Sequence, residues 1–177
     1  MEIIPVVSPL QLKRQQHRLD SPLTHIWQIL DQVKDPEIPA ISLWDLGILQ
    51  AVYLAGEVGD EQLKVIITPT YSGCPAMKEI QVDIKKALTN AGYPHAEVEL
   101  KLYPAWSTEF MTEKGKSDLK AYGIAPPKSS VNSDHAVSCP HCGSDDTQMI
   151  SEFGSTACKS LYKCHDCLEP FDHFKCI

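Results

Sequence analysis

Apolar residues recur at helical spacing near the start of the chain, where Leu23, Ile26, Trp27, Leu30 and Val33 share one face. Ser21 and Pro22 just ahead of them predict an N-cap and a first helical residue. Pro36 disfavours helical backbone in the residue before it, so this helix is expected to stop at Lys34-Asp35. A loop over 36–45 follows. LGILQAVYLAG (46–56) and LKVIITPT (63–70) then read as strands, and the short turn GEVGDEQ between them predicts an antiparallel hairpin. PAMKEIQVDIKKALTNAG (75–92) predicts a helix opened by Pro75 and closed by Gly92. AEVELKLY (96–103) alternates as a third strand, and residues 113–122 read as a last short helix. This order predicts an α+β fold, a small mixed sheet packed by helices with a right-handed β–α–β crossover. Residues 1–20 are weakly patterned and read as a flexible N-terminal arm. The first domain is therefore expected over 21–124.

The cysteines divide the chain. Residues 1–138 hold one, Cys74, and residues 139–177 hold six. Between them APPKSSVNSDHAVS (125–138) is rich in Pro and Ser without apolar periodicity and reads as a linker. Beyond it Cys139-Pro-His-Cys142 and Cys164-His-Asp-Cys167 are two C-x-x-C knuckles separated by 21 residues, the spacing of a zinc ribbon. Each knuckle presents two thiolates, and four of them close a tetrahedral shell with no open position for a substrate. Zinc as a structural ion is the expectation for Cys139, Cys142, Cys164 and Cys167; the same soft ligands also suit an iron–sulfur cluster. TQMISEF (147–153), TACKSLYKC (156–164) and FDHFKCI (171–177) predict three strands, so residues 139–177 form a small β-rich module. A module that small leans on its metal for stability. Cys158 and Cys176 are left over, and read either as packed thiols or as a second metal or redox pair. His141, His165 and His173 find the shell already filled and read as surface residues.

Charge narrows the function. The chain carries 16 Lys and Arg against 23 Asp and Glu, net −7. The ribbon segment is itself acidic, with three lysines against six carboxylates. A polyanion binder needs Lys and Arg on the phosphates, so a nucleic-acid-binding ribbon is the least favoured reading and a protein-contacting ribbon the better one. No window approaches a membrane span, and the N-terminus lacks the basic start and apolar core of a signal peptide. Paired cysteines without an export signal fit metal binding in a reducing cytoplasm.

Cys74 lies in TPTYSGCP (68–75), between a strand end and a helix start. Pro75 places it at the expected N-cap, where the helix dipole would lower the thiol pKa. Thr68, Thr70 and Ser72 add hydroxyls, and Asp35 and Glu37, flanking Pro36, offer carboxylates. The plainer alternatives are a buried inert thiol and a helix end capped by solvated acids. His95 is not placed near Cys74 by the sequence, so a Cys–His hydrolase is poorly supported.

DPEIP (35–39), ISLWDLG (41–47) and TPTYSGCP (68–75) resemble the SufT-like family of iron–sulfur assembly proteins. PAWSTEFM (104–111), KAYGIAPP (120–127) and a ribbon ending EPFDHFKC (169–176) narrow the resemblance to the PaaD family, the D proteins of the phenylacetyl-CoA epoxidase system. The resemblance covers residues 22–177. It implies an accessory role in aerobic phenylacetate degradation, assisting assembly of an iron or iron–sulfur centre, without catalysis by the chain alone. The absence of paired Glu-x-x-His and of G-x-G-x-x-G motifs agrees with that. On this reading Cys74, with Asp35 and Thr68 as neighbours, holds iron or a cluster transiently. The implied partners are oxygenase or reductase subunits of the epoxidase, with a homodimer left open. The alternative is a stoichiometric, non-catalytic subunit of the epoxidase complex.

Overall fold

The computed structural model describes residues 8–57, 60–127 and 137–175. The chain opens with a helix, α1 (Pro9–Leu19), where the sequence predicts an arm; Ser8 caps it by accepting the Gln11 N–H at 3.2 Å. Its apolar residues Leu10, Leu12 and Leu19 are exposed, so no hydrophobic face holds it down. Arg14 does so instead. Buried to 4% exposure, it donates to three backbone carbonyls: Leu49 at 2.9 Å, Phe110 at 3.0 Å and Trp44 at 2.5 Å. Its guanidinium lies 3.6 Å from the Trp44 ring centroid. Burial and the neighbouring Arg18 charge hold its pKa well below the ordinary arginine value.

Helix α2 (Thr24–Leu30) starts later and ends sooner than its pattern predicts. Leu23, not Ser21, is its N-cap; Ser21 spends its hydroxyl on the Leu23 N–H at 3.2 Å. Ile26, Trp27 and Leu30 face the core as expected. Strands β1 (Leu49–Ala55) and β2 (Gln62–Ile67) form the antiparallel hairpin. Helix α3 (Met77–Asn90) then crosses to β3 (Glu97–Leu100), which pairs parallel to β2 and completes a three-stranded mixed sheet of order β1-β2-β3. On the outer edge of β1 the His17 ring nitrogen Nε2 lies 3.1 Å from the Val52 carbonyl and 3.3 Å from the Val52 N–H, so α1 occupies that edge.

Helix α4 (Glu113–Ala121) follows, capped by Thr112, whose hydroxyl accepts the Gly115 N–H and donates to Asp45. Close after it comes β4 (Ile124–Ala125), which straddles the expected boundary between the first domain and the linker at 124/125. It pairs parallel to β7 (Pro170–Phe174) in a second sheet of order β4-β7-β6-β5, with β5 at Thr147–Ser151 and β6 at Lys159–Cys164. The ribbon is thus not tethered by chain alone. Phe174 and Cys158 belong to the same buried cluster as Ile26, Leu30 and Trp106, and the Trp106 and Phe174 rings lie 5.9 Å apart. A smaller cluster, Ala125, Val137 and Phe171 with Cys139 and Cys164, surrounds the knuckles. Among the described residues no helix is long and apolar enough to cross a membrane.

Candidate metal centre and the Cys74 loop

The two knuckles fold on the same plan. In the first, the Gly143 N–H donates to the Cys139 carbonyl at 2.9 Å and the Cys139 N–H to the Ser144 carbonyl at 2.8 Å. In the second, the Cys164 N–H donates to the Glu169 carbonyl at 3.0 Å. Each turn needs left-handed backbone one residue after its second cysteine. Gly143 adopts φ 81° there without a side chain to strain, and Leu168 adopts φ 65°. The His165 N–H donates to the Asp146 carbonyl at 2.9 Å and ties the knuckles together.

The four Sγ atoms lie within 4.8 Å of one another. Cys139 and Cys167 are 3.7 Å apart and Cys142 and Cys164 3.6 Å apart. A tetrahedron of sulfurs at about 2.3 Å from a zinc ion has edges of about 3.8 Å, so this set fits one ion. A polynuclear cluster would share the four sulfurs among two or four irons and spread them further. Backbone N–H groups of Cys167 and Asp166 aimed at Cys164 lower its thiol to about 7. Oriented amides thus favour the thiolate that a metal needs. Cys139 and Cys164 are fully buried, whereas Cys142 is exposed. His141 and His165 are exposed as expected; His173 is half-buried, with its Nδ1 3.3 Å from the Ser160 hydroxyl.

The Cys74 loop departs from expectation. Helix α3 begins at Met77 behind an Ala76 N-cap, so Pro75 lies in a preceding turn and Cys74 is not the cap. The thiol is half-buried, and burial pushes its pKa up from the ordinary 9.0. The Ala76 N–H and the Tyr71 hydroxyl, both donating to the sulfur, oppose the rise, while the charges of Glu37 and Asp35 add to it. The lowered thiol pKa read from the helix start is therefore corrected: Cys74 is not the cap, and burial raises it instead. Burial and the hydrogen bond to Cys74 in turn push Tyr71 up to about 12.

Asp35 is 6% exposed, and its Oδ1 accepts the N–H groups of Glu37 at 3.0 Å and Ile38 at 2.8 Å. Burial raises its pKa against those two donors. The structure brings Asp35 and Glu37 within electrostatic reach of Cys74, although some 40 residues separate them in sequence. Thr68 is 1% exposed, and its hydroxyl finds no hydrogen-bond partner among the described residues. Cys158 sits just before β6, buried in the first domain's cluster, with its sulfur 3.0 Å from the Thr156 hydroxyl. Nothing in the sequence signals that it faces the first domain. Cys176 lies outside the described residues.

Comparison with known proteins finds two matched families in the chain. Residues 23–100 match the family described as iron-sulfur cluster assembly protein, and residues 124–175 match the PaaD zinc beta ribbon domain. The second match begins at the first residue of β4. Among solved structures, a domain of unknown function from Bacillus anthracis is 26% identical, with a TM-score of 0.48 over 61% of this chain and 95% of that one. A conserved hypothetical protein from Thermotoga maritima is 24% identical, with a TM-score of 0.45 over 56% of this chain and 94% of that one. A protein of Escherichia coli (strain K12), provisionally named as one of the subunits of 1,2-phenylacetyl-CoA epoxidase, is 47% identical over 157 residues, 86% of this chain and 92% of that protein. On that identity and coverage, together with the two matched domains in order, this chain belongs to the PaaD family.

Proposed function

We propose that this chain is a cytoplasmic accessory factor that helps assemble an iron or iron–sulfur centre of a multicomponent phenylacetyl-CoA epoxidase, and is not itself a catalyst. The observation that carries the reading is the pairing of two unlike thiol sites in one molecule. The ribbon centre is closed, with four sulfurs around one position, and suits a resident zinc ion that only shapes the surface. Cys74 is a half-exposed thiol with carboxylates in reach, a donor set too sparse to hold iron permanently. A carrier needs such an incomplete shell, because its cargo has to leave. The soft sulfur of Cys74 and the hard oxygen of Asp35 both suit iron. Thr68 lies buried at the base of the same loop.

The acidic ribbon docks on a protein client, the oxygenase or the reductase subunit of the epoxidase, rather than on nucleic acid. Epoxidase purified from a strain lacking this chain should contain less iron and turn over poorly at normal subunit levels, and Cys74→Ala should reproduce the loss. Fully metallated, fully active enzyme from that strain would end the maturation reading. A second reading, a stoichiometric non-catalytic subunit, is favoured by the Escherichia coli relative's name as a subunit. Co-purification with the oxygenase at constant ratio through gel filtration would select it.

A further inference from the structure

Strand β3 is the last strand of its sheet, and among the described residues no strand pairs with its outer edge. It runs along β2 without a bulge, Val98 beside Val65 and Leu100 beside Ile67. The Lys101 N–H donates to the Ile67 carbonyl at 2.9 Å, so Lys101 and, by alternation, Glu97 and Glu99 turn their backbone groups towards β2. Those of Val98, Leu100 and Leu102 point the other way, out of the sheet edge. There the Val98 carbonyl accepts one long bond, 3.4 Å, from the Gln81 amide of α3. By the same alternation the side chains of these three residues share the sheet face of Val65 and Ile67. Val98 packs against the core cluster, but Leu100 and Leu102 run off its end, 42% and 61% exposed. On the opposite face Glu99 and Lys101 stand 3.6 Å apart, both half-exposed. A sheet edge that carries an apolar stripe and no bulge is a template for another strand.

We propose that this edge pairs with the same edge of a second copy of the chain, β3 against β3, antiparallel about a two-fold axis at Leu100. Charge complementarity picks both the partner and the register. Two identical strands related by a two-fold axis set their residues symmetrically about one position, and like charges placed opposite each other are destabilising. An axis at Val98 would set Glu97 against Glu99. One at Glu99 would set that carboxylate against its own copy, and one at Lys101 would do the same with two ammonium groups. An axis at Leu102 would set Leu100 against Pro104, which has no N–H to give. The axis at Leu100 sets Glu99 against Lys101 of the other copy, twice, at the non-hydrogen-bonded positions where side chains come closest. It also sets Val98 against Leu102 on either side of a central Leu100 pair, so the exposed stripe is covered by its own image. The outward N–H and C=O groups of the two strands then satisfy one another. The contact is isologous and closes at two copies, leaving each β1 edge, where α1 lies, at the ends of a six-stranded sheet. One strand against one strand is a small interface, so the dimer is weak and forms at about 0.1–0.5 mM.

Sedimentation equilibrium of the zinc-loaded full chain, from about 10 μM to about 0.5 mM, is the test. The wild type should pass from monomer to dimer over that range and go no further. Leu100→Pro removes an N–H that faces away from β2, so the fold should hold and the dimer should be lost. Glu99→Lys and Lys101→Glu each set like charges together twice and should weaken the dimer at least about tenfold. The two substitutions in one chain restore both unlike pairs and should recover it. An equimolar mixture of the two single variants should pair as a heterodimer for the same reason. Both side chains are half-exposed, so zinc content and circular dichroism should match the wild type and keep the charge variants decisive even if Leu100→Pro fails to fold. A wild type still monomeric at about 0.5 mM overturns the proposal. A dimer that the single charge variants leave intact overturns it too, because another surface then holds the copies together. A double variant no better than its parents overturns the axis at Leu100.

Discussion

Asp35 ties a turn and stands beside a thiol, and two substitutions separate those roles. Its Oδ1 holds the N–H groups of Glu37 and Ile38, at 3.0 and 2.8 Å, in a nearly buried turn. Asp35→Ala orphans both donors. At about 1–3 kcal/mol for each unsatisfied group, with water reaching the half-buried Glu37, the loss should be about 2–4 kcal/mol. That corresponds to roughly 5–15 °C in Tm for a chain of this size. Asp35→Asn keeps an oxygen acceptor in place and removes the buried charge, so its stability should lie within about 1 kcal/mol of wild type near neutral pH, or above it. The pH dependence follows from the direction of the shift. The folded-state pKa is raised above the ordinary 3.8 by burial. The carboxyl therefore contributes stability that is fully present below the unfolded value and lost as pH rises through the folded one. The Asn variant has no such loss, so its advantage over wild type should grow as pH rises above the ordinary 3.8 and level off once the folded carboxyl is ionised. Urea unfolding of the zinc-loaded protein, followed by tryptophan fluorescence across that range, measures both quantities. Both variants should fail to support iron loading of the epoxidase. Asn as destabilising as Ala would show that the turn needs the charge, and a stable Asn variant with full iron loading would leave Asp35 a purely structural residue.

Removing the ribbon metal with a chelator should free Phe174 from Trp106 and red-shift the tryptophan emission. The first domain should lose about 3–5 kcal/mol, the usual cost of emptying a buried Phe site, and an unchanged unfolding transition would disprove the shared core. Leu168→Gly should raise ribbon stability by about 1 kcal/mol by relieving left-handed backbone at an exposed position, whereas Leu168→Ala should not; calorimetry on the two variants decides. Arg14→Met should cost about 3–5 kcal/mol and expose α1 to amide exchange, because it leaves three carbonyls without a donor; protection of α1 equal to wild type would sink that account.

The elements legible in the sequence are those held by apolar periodicity or by metal spacing. The α2 face, the β1–β2 hairpin, α3 and the two C-x-x-C knuckles are of this kind. Helix α1 is invisible to such a reading because its anchor is polar: pattern looks for an apolar stripe, and here one guanidinium grips three carbonyls. The two residues of β4 are too few to carry a period, and their partner β7 lies some 45 residues further on. The Cys74 loop misleads because proline is as much at home in the turn before a helix as in its first position, so α3 begins two residues after Pro75. Cys158 shares a strand's parity with Cys164, but it precedes β6, and the side that it faces is set by a domain contact that no local pattern encodes.

The sharing of one buried cluster by both domains also sets an order of events in synthesis. A chain grows from its N-terminus, and domains ordinarily fold as they emerge. Here Trp106 is made early and its neighbour Phe174 late, with Cys158 arriving shortly before it. The first domain must therefore wait, with part of its apolar surface uncovered, until β7 has been made and the knuckles have taken up their ion. With zinc as the resident ion, as proposed above, its supply would become a checkpoint on the whole molecule: a nascent chain starved of zinc would keep an open flank that chaperones and proteases can recognise.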